Sequence, residues 1–380
     1  MKFLTLGAVV LASSKYLAFA APTKTSTSYI PQFSPVFPEM GSASNVINAY
    51  NYGPYNRSAT LPLDQLSGYP DPWDTPDPTS DEVRAVIDQI NWNLVPDAPV
   101  RVQKDNGDFK TPKDENEDPY CWWSDTNCLT PKIEIPGDLH SCPNAGEWGL
   151  SFDDGPFNLL EADKKHADTE NPFAEPALYN YMLNTNNQKA ALFYIGSNVA
   201  KYPAAAKKAL DDGHVLCIHT WSHPAMTTKS NAEAVSELYW SLKAVKEATG
   251  VTPKCWRPPQ GDVDDRIRSI AWQMGLTTVM WDWDTNDWDM PAPNGGNLPP
   301  ETVDGYFKKW IKSQKKGKEK TGHIVLQHEL NSATVSMAEK WLPVIQNTFN
   351  VLPATSCNGI EKPYWEENFV YPLRNVAEQR

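Results

Sequence analysis

The sequence predicts an α/β protein: a parallel β/α barrel preceded by a long N-terminal extension with little regular structure. From about residue 147 onward, short apolar runs alternate with stretches of helical period. Repeated alternation of this kind is typical of parallel strands joined by helices. Before that point the chain is rich in proline, asparagine, serine and tyrosine, with twelve prolines between Pro22 and Pro99. Proline interrupts helices and sheets alike, so the extension is expected to be largely irregular.

The barrel domain is predicted to contain strands that alternate with helices. The strand candidates are residues 149–152, 190–195, 215–218, 254–257, 277–281 and 324–327. The helix candidates are residues 176–184, 204–212, 231–249, 264–274, 301–313 and 335–349. The third helix has both end signals, a capping box of Ser230 and Glu233 and a stop at Gly250. In the extension, a helix is predicted after a capping box of Thr79 and Glu82.

The N-terminus has the features of a secretory signal peptide. Lys2 precedes the apolar residues 3–11, and Ala-Phe-Ala at 18–20 fits the cleavage rule. The apolar run is too short to span a bilayer and no later segment is long enough, so we expect a secreted protein, outside the cell or in the cell wall or periplasmic space. The sequence Asn-Arg-Ser at Asn56 is a glycosylation sequon. The expected segments are signal peptide 1–20, extension 21–143, barrel domain 144–352 and C-terminal tail 353–380.

The acidic composition argues against a nucleic-acid partner. The 380 residues include 34 Lys and Arg against 47 Asp and Glu, a formal net charge of −13, and loss of Lys2 and Lys15 with the signal peptide leaves 32 basic residues. A surface of this sign repels phosphate backbones but tolerates a neutral or cationic polymer. The 15 tryptophans are unusual. Tryptophan often binds sugars through its ring face, but it is also core and interface material.

Six cysteines in a secreted chain suggest disulfide bonds. Cys121 and Cys128 lie close together in the sequence, whereas Cys142 and Cys357 flank the barrel domain. The remaining candidates are Cys217 and Cys255. Six cysteines allow many pairings, so the connectivity stays open. No Cys-x-x-Cys pair is present, which argues against a zinc-cysteine site.

Two adjacent carboxylates end the first predicted strand of the barrel. Asp153 and Asp154 lie in Ser-Phe-Asp-Asp-Gly-Pro at 151–156, where an apolar run meets a Gly-Pro turn. Neighbouring side chains on extended backbone point in opposite directions, so one Asp can face a metal while the other faces a substrate or an arginine. In α/β barrels the carboxyl ends of the strands are where chemistry is done. A turn without function is the alternative.

Two histidines follow the strand predicted at 215–218. His219 and His223 lie in His-Thr-Trp-Ser-His, and imidazoles at this spacing can share one metal ion. A pair of surface or capping histidines is the alternative. Because the earlier acidic strand end is predicted at the same edge of the sheet, Asp154, His219 and His223 would form a two-histidine, one-carboxylate set with positions open for water.

Two further strand ends supply charged groups. Arg257 opens Arg-Pro-Pro-Gln-Gly-Asp; the prolines stiffen this loop, and the guanidinium can pair with Asp153 and keep it ionised. His328 follows the strand predicted at 324–327, and a histidine beside a buried carboxylate can be held protonated and act as a general acid. Asp284 is the predicted carboxylate. The alternatives are a structural arginine and a satisfied core histidine.

In this order, the motifs resemble those of the polysaccharide deacetylase family, carbohydrate esterase family 4. The resemblance covers roughly residues 145–350, and segments 218–224 and 255–264 look like those of fungal chitin deacetylases. It implies a distorted (β/α) barrel in which residues 144–352 form the catalytic domain. It also implies one divalent metal ion, Zn²⁺, with Co²⁺ as the alternative.

The resemblance implies a role for each residue of the motifs. The catalytic residues would be Asp153 as base, His328 as acid, Arg257 orienting the base and Asp284 tuning the acid. The metal ligands would be Asp154, His219 and His223. The substrate contacts would be Gln260, Trp288 and Leu326, the last two as walls of an acetyl pocket. Gln260 stands where the family usually has an aromatic residue, which puts the sugar contact there in doubt, although its backbone N–H can still hold an oxyanion.

The implied reaction is metal-dependent hydrolysis of the N-acetyl groups of N-acetylglucosamine units in chitin, giving chitosan and acetate. The expected partners are chitin or N-acetylglucosamine oligomers, with no nucleic acid, no membrane span and a monomeric chain. An acetylxylan esterase or a peptidoglycan deacetylase would share the motifs, and a non-catalytic protein that binds cell-wall polysaccharide is a further alternative. The extension, with its several tryptophans, could be a separate carbohydrate-binding module, but we expect it to pack against the barrel.

Overall fold

A computed structural model describes residues 29–35, 61, 64–110, 117–157, 177–292 and 295–366. The expected signal peptide and the sequon at Asn56 lie outside these residues. The strands are β1 Val102–Gln103, β2 Phe109–Lys110, β3 Glu147–Asp153, β4 Ala191–Tyr194, β5 Val215–Ile218, β6 Cys255–Trp256, β7 Thr277–Thr278, β8 Trp283–Asp284, β9 His323–Leu326 and β10 Asn350–Pro353. The helices are α1 Asp81–Ile87, α2 Trp123–Thr126, α3 Ala177–Asn184, α4 Gly196–Lys201, α5 Pro203–Asp211, α6 Asn231–Thr249, α7 Asp265–Gln273, α8 Pro300–Lys315 and α9 Ser332–Gln346.

A parallel sheet of eight strands forms the centre of the described structure. Its order is β7-β6-β5-β4-β3-β9-β8, and β10 pairs with the first half of β3. In the central strand β3, Ser151 lies opposite Ala191 of β4, and Trp148 lies opposite His323 of β9. Strands β4, β5 and β9 are buried throughout. Parallel strands covered on both faces read as continuous apolar runs, which is the pattern in the sequence.

The sheet must curl, because its two edge strands are neighbours in the sequence. Only residues 279–282 connect β7 to β8, yet these strands lie at opposite ends of the seven-strand order. Seven strands laid flat would span about 29 Å, whereas the connection reaches roughly 17 Å when fully extended. The sheet therefore bends into a half-barrel, and no ladder joins β7 to β8 within the described residues. The predicted distorted (β/α) barrel is confirmed.

Two strands of the sheet are not predicted from the sequence. β8 has only two residues, which are too few to show the alternation of apolar and polar side chains that marks a strand. β10 continues through Pro353, so the expected domain boundary at 352 falls inside a strand that pairs with β3. The short helix α4 is also unpredicted, since its six residues span less than two turns.

The predicted end signals of α6 are present. The Ser230 side chain accepts from the Glu233 backbone N–H, the Glu233 side chain accepts from the Ser230 N–H, and Gly250 takes a left-handed conformation at the C-cap. The capping box predicted at Thr79 is wrong. Ser80 caps α1 by accepting from the third helical N–H, and Glu82 reaches across to the Lys243 ammonium at 2.5 Å. In the described ranges, no helix is both long and apolar enough to cross a membrane.

The described part of the extension packs on the half-barrel. Val83, Val86 and Ile90 belong to the same buried cluster as the strand residues. Trp122 donates its indole N–H to Asp262 at 2.8 Å. The C-terminal segment is also attached, because Tyr364 is fully buried and its hydroxyl accepts from the Leu216 N–H at 2.8 Å.

Three disulfide bonds use all six cysteines. They join Cys121 to Cys128, Cys142 to Cys357 and Cys217 to Cys255. The third links the neighbouring strands β5 and β6, two residues before His219 and Arg257 respectively. Expected disulfide formation is confirmed, and the pairing that the sequence left open is set by which strands and loops lie side by side.

Candidate active site

The site candidates meet at the carboxyl edge of the sheet, around a cavity of about 630 Å³. The cavity is lined by Trp73, Trp123, Asp153, Asp154, Ile195, His219, His223, Gln260, Trp281, Asp284, Asn286, Trp288, Leu326, His328 and Leu330. Nine of the ten residues that the sequence nominates for catalysis, metal and substrate are in this lining. The tenth, Arg257, is fully buried and contacts Asp153. Residues far apart in the sequence therefore converge because parallel strands all end at this edge.

Arg257 holds Asp153 in place. Its Nη1 donates to Asp153 Oδ1 at 2.6 Å, while Nε and Nη2 donate to the backbone carbonyls of Val279 and Met280. The other carboxylate oxygen, Oδ2, lies 3.7 Å from His219 Nε2. Burial raises the pKa of Asp153 to about 6, and the Arg257 charge opposes this rise. A carboxylate with one anchored oxygen and a pKa near neutrality is suited to act as a general base.

Asp154, His219 and His223 form a cluster whose ligand atoms all lie within 4.8 Å of one another. Asp154 Oδ1 is 3.6 Å from His219 Nε2 and 3.3 Å from His223 Nε2. His219 Nδ1 lies 2.7 Å from the Arg257 carbonyl, so Nδ1 carries the proton and donates it there. This leaves Nε2 with a lone pair directed at the cluster, as second-sphere hydrogen bonds commonly arrange for a metal-binding imidazole.

These residues fit a divalent metal ion. Oδ1 of Asp154 is buried and makes no hydrogen bond to any residue of the described ranges, which is costly unless a cation or another donor satisfies it. Burial lowers the pKa of His219 to about 3, so this imidazole is neutral. Burial alone would raise the pKa of Asp154, but the His223 imidazole outweighs it and the pKa lies below the usual range. Carboxylate and imidazole groups are donors that zinc and similar ions take.

Left-handed backbone is concentrated at this edge of the sheet. Asp154, Thr220, His223, Gln260 and Asn286 have φ values of 78°, 65°, 59°, 58° and 51°. On a regular strand Asp154 would face away from Asp153, but its positive φ ends the strand and lets both carboxylates line the cavity. Each such residue costs on the order of 1–3 kcal/mol. Strain of this kind persists where the surrounding contacts hold it, and it is characteristic of functional sites.

The partner of His328 is Asp287, and the prediction that Asp284 fills this role is wrong. Asp287 Oδ1 lies 2.7 Å from His328 Nδ1, and Asp287 Oδ2 accepts the His328 backbone N–H at 3.0 Å. Asp284 instead accepts the Asn286 backbone N–H at 2.7 Å. The reason is local: β8 ends at Asp284, and the left-handed Asn286 turns the chain into a short 3-10 helix that begins with Asp287.

The His328 imidazole is held in its protonated form. Burial by itself lowers the pKa of His328, but the charge and hydrogen bond of Asp287 outweigh burial and raise the pKa to about 10. Because Asp287 occupies Nδ1, the nitrogen free to face a substrate is Nε2. An isolated bridge pairs Asp153, the last residue of β3, with His328, which lies two residues after the end of β9. The candidate base and the candidate acid are therefore direct neighbours across the sheet.

The nominated substrate contacts all line the cavity. Leu326 is buried, whereas Trp288 is 46% exposed. Gln260 is also exposed, and its side-chain oxygen accepts from Gln103 of β1 at 3.0 Å. The extension thus contacts the loop in which Gln260 replaces the aromatic residue of the family pattern.

The site also contains residues that were not nominated from the sequence, among them Asp287, Trp281, Trp73 and Trp123. Asp287 had a signal in the sequence, since the segment Asp-Thr-Asn-Asp-Trp at 284–288 contains two aspartates and the second is the one that contacts His328. Trp281 also had a weak signal, because it ends a predicted strand. Trp73 and Trp123 belong to the extension and line the cavity. No local pattern marks these two, because their place depends on packing against loops far along the chain.

The fold and the site define a class of protein. A parallel half-barrel carries a His-His-Asp cluster that can hold a divalent metal ion, with a buried carboxylate and a protonated histidine beside it. This is an arrangement suited to metal-assisted hydrolysis of an acyl bond.

Comparisons with known proteins give the family. A family model described as polysaccharide deacetylase matches residues 140–279. The chain is 37% identical over 347 residues to a chitin deacetylase of Amylomyces rouxii, covering 89% of this chain and 77% of that protein. It is 37% identical over 332 residues to chitin deacetylase 2 of Cryptococcus neoformans var. grubii, covering 85% of this chain and 67% of that protein. The chain belongs to the polysaccharide deacetylase family.

The chitin deacetylase from the fungal pathogen Colletotrichum lindemuthianum matches with a TM-score of 0.49 and 23% identity, over 63% of this chain and 98% of that chain.

Proposed function

We propose that this protein hydrolyses the N-acetyl groups of N-acetylglucosamine units in chitin, releasing acetate and leaving chitosan. One observation carries the proposal: Asp153, at the end of β3, and His328, just after the end of β9, are neighbours beside the metal-binding cluster and inside one cavity. The relatives at 37% identity are chitin deacetylases, which supports chitin as the substrate.

The metal would be held by Asp154, His219 and His223, and we propose Zn²⁺, with Co²⁺ as an alternative. Three protein ligands from imidazole and carboxylate leave positions open, as in catalytic zinc sites. When bound, such an ion lowers the pKa of a water molecule and polarises a carbonyl oxygen. The remaining chemistry belongs to the side chains around it.

Asp153 is the proposed general base. Its Oδ1 is occupied by Arg257, so Oδ2, which lies toward His219, is the oxygen that accepts the proton from the attacking water. The water oxygen bonds to the carbonyl carbon of the N-acetyl group. The pKa of about 6 keeps Asp153 largely ionised near neutral pH while leaving it basic enough to take this proton.

His328 is the proposed general acid. Its Nε2 donates a proton to the amide nitrogen as the carbon–nitrogen bond breaks, so the sugar leaves as a neutral amine and the acyl group leaves as acetate. Asp287 keeps His328 protonated before this step and stabilises the imidazolium. Without protonation the amine would be a poor leaving group.

Three residues are proposed to bind the reacting acetamide. The backbone N–H of Gln260 would help stabilise the negative charge on the carbonyl oxygen, a role that needs no side chain. Leu326 and Trp288 would enclose the acetyl methyl group, since both line the cavity.

We further propose that the chain is a secreted monomer with one catalytic unit. Three disulfide bonds fit an oxidising compartment, and the sequence begins with a signal-peptide pattern. Residues 144–352 would form the catalytic domain, with β10 and the attached C-terminal segment completing it.

The test is acetate release from N-acetylglucosamine oligomers, acetylxylan and peptidoglycan, with and without a chelator. We expect release from the oligomers, loss of release with chelator, and recovery on adding Zn²⁺ or Co²⁺. Release only from acetylxylan or peptidoglycan would overturn the substrate assignment, and oligomer binding without any release would support the non-catalytic alternative.

A further inference from the structure

Trp73 has no explanation in the fold. It belongs to the N-terminal extension, it is 50% exposed, and it lines the same cavity as Asp153 and His328. Half of the indole stays in contact with solvent, so burial accounts for only part of the reason that a tryptophan stands here.

The backbone at Trp73 makes its presence more unusual. The Asp74 N–H donates to the Asp71 carbonyl at 3.4 Å, which closes a four-residue turn with Pro72 in the second position. Trp73 is in the third position with φ of 67°. Turns with proline second and a positive φ third favour glycine there, because a bulky side chain is strained. The chain nevertheless carries its largest side chain at this position.

The turn is anchored to the loops that form the catalytic site. The Trp73 N–H donates to Ser197 Oγ at 3.0 Å, and Ser197 Oγ in turn donates to the Trp221 carbonyl at 2.6 Å. The Trp221 indole N–H donates back to the Asp71 carbonyl at 3.2 Å. Trp221 lies between the two histidines of the metal-binding cluster. The position of Trp73 is therefore fixed relative to these ligands.

Two further contacts hold the segment around the turn in place. Tyr69 lies parallel to Trp221, with ring centroids 5.7 Å apart and an interplanar angle of 9°. The Lys229 ammonium donates to Oγ1 of Thr75, the residue after the turn, at 2.7 Å. The turn therefore holds the Trp73 indole at a defined position in the wall of a cavity that Asp153 and Asp154 also line.

We propose that Trp73 is a sugar-binding residue of the active-site cleft, supplied by the extension, on which a unit of the N-acetylglucosamine chain stacks. The inference rests on the proposed function and names part of its substrate specificity. The apolar C–H face of a pyranose ring matches a flat, half-exposed indole, and its hydroxyl and acetamide groups remain free to reach the polar floor. The extension is therefore part of the catalytic unit and contributes to the choice of substrate.

The test compares Trp73→Ala, Trp73→Phe and the wild-type protein on a ladder of N-acetylglucosamine oligomers of increasing length. Alanine also has a Cβ, so at this positive φ its backbone strain is similar to that of tryptophan and the variant tests the loss of the indole ring. Loss of one aromatic anchor is expected to raise KM for the longer oligomers about tenfold, with kcat changed little because binding before and in the transition state weakens equally. Phenylalanine should restore most of the affinity.

Trp92→Ala is the matched control, since Trp92 is another exposed tryptophan of the extension and is not in the cavity lining. Its KM should equal that of the wild-type protein. Equal KM values for Trp73→Ala and wild type would overturn the inference, and so would an equal loss in both alanine variants, which would mean general binding by the extension.

A binding arm separates failure of this inference from failure of the proposed function. Oligomer binding is measured by calorimetry with Asp153→Asn, alone and combined with Trp73→Ala. If the wild-type protein releases acetate but Trp73→Ala has normal KM and binding, only the inference falls. If no oligomer is deacetylated, the proposed function is wrong. The calorimetric comparison of Asp153→Asn with and without Trp73→Ala then shows by itself whether Trp73 binds the oligomer. Absence of binding to Asp153→Asn would overturn the inference as well.

Discussion

The pairing of His328 with Asp287 leads to a sharp prediction for Asp287→Asn. Asp287 uses both carboxylate oxygens as acceptors, one for His328 Nδ1 and one for the His328 backbone N–H. Asparagine keeps the shape but has only one acceptor oxygen, so one of these donors loses its partner. Leaving a buried donor unsatisfied costs about 1–3 kcal/mol. The charge that favours the imidazolium is lost at the same time.

The size of the electrostatic effect follows from the pKa of His328. A rise from the ordinary 6.5 to about 10 corresponds to a preference for the protonated form on the order of 5 kcal/mol. Because His328 must carry the proton that it donates, removing the Asp287 charge lowers its pKa and moves the alkaline limb of activity to lower pH. General acids contribute roughly 10²- to 10⁴-fold, and we expect kcat of Asp287→Asn to fall within this range.

The assay is acetate release as a function of pH for Asp287→Asn and Asp284→Asn, with thermal unfolding as a check on folding. Asp284→Asn is the matched variant, since Asp284 also lines the cavity but bonds to Asn286. We expect a smaller loss for it and no comparable shift of the alkaline limb. The reasoning is refuted if Asp284→Asn shows the large loss and the shift while Asp287→Asn shows neither.

Three further predictions follow from the site and the disulfide bonds. Asp153→Asn should abolish acetate release while elemental analysis shows nearly normal metal content; retained turnover would remove Asp153 from the role of base. His219→Ala should lose the bound metal itself, and a full metal complement in this variant would show that His219 is not a ligand. Replacing Cys217 and Cys255 together by serine opens a loop with a sequence separation of 38, which should lower the free energy of unfolding by about 4 kcal/mol. Denaturant titration measures this loss, and an unchanged midpoint would contradict it.

Local patterns account for much of the fold. The strands β4, β5 and β9 are largely apolar runs because both of their faces are covered. The ends of α6 are marked by Ser230 and Gly250. These features depend on residues close together in the chain, so a sequence displays them directly. β8 and β10 do not, since a two-residue strand has no period and β10 exists through its pairing with β3.

The active site likewise combines features that local sequence patterns predict with features that depend on the folded backbone. The order of the motifs nominates Asp153, Asp154, His219 and His223, because each follows a predicted strand and parallel strands end at one edge. That both aspartates line one cavity is decided by the positive φ at Asp154. A strand pattern predicts that neighbouring side chains diverge, so this feature needed the folded backbone.

By itself, the sequence determined the alternation of strands and helices, the set of catalytic candidates and their family resemblance. Only the tertiary structure decided which aspartate meets His328, across a separation of 41 residues, and that Trp73 is anchored to Ser197, 124 residues away. The physical reason is that propensity and periodicity act within a few residues, whereas hydrogen bonds, disulfide pairing and cavity walls are made between segments that meet when the sheet curls.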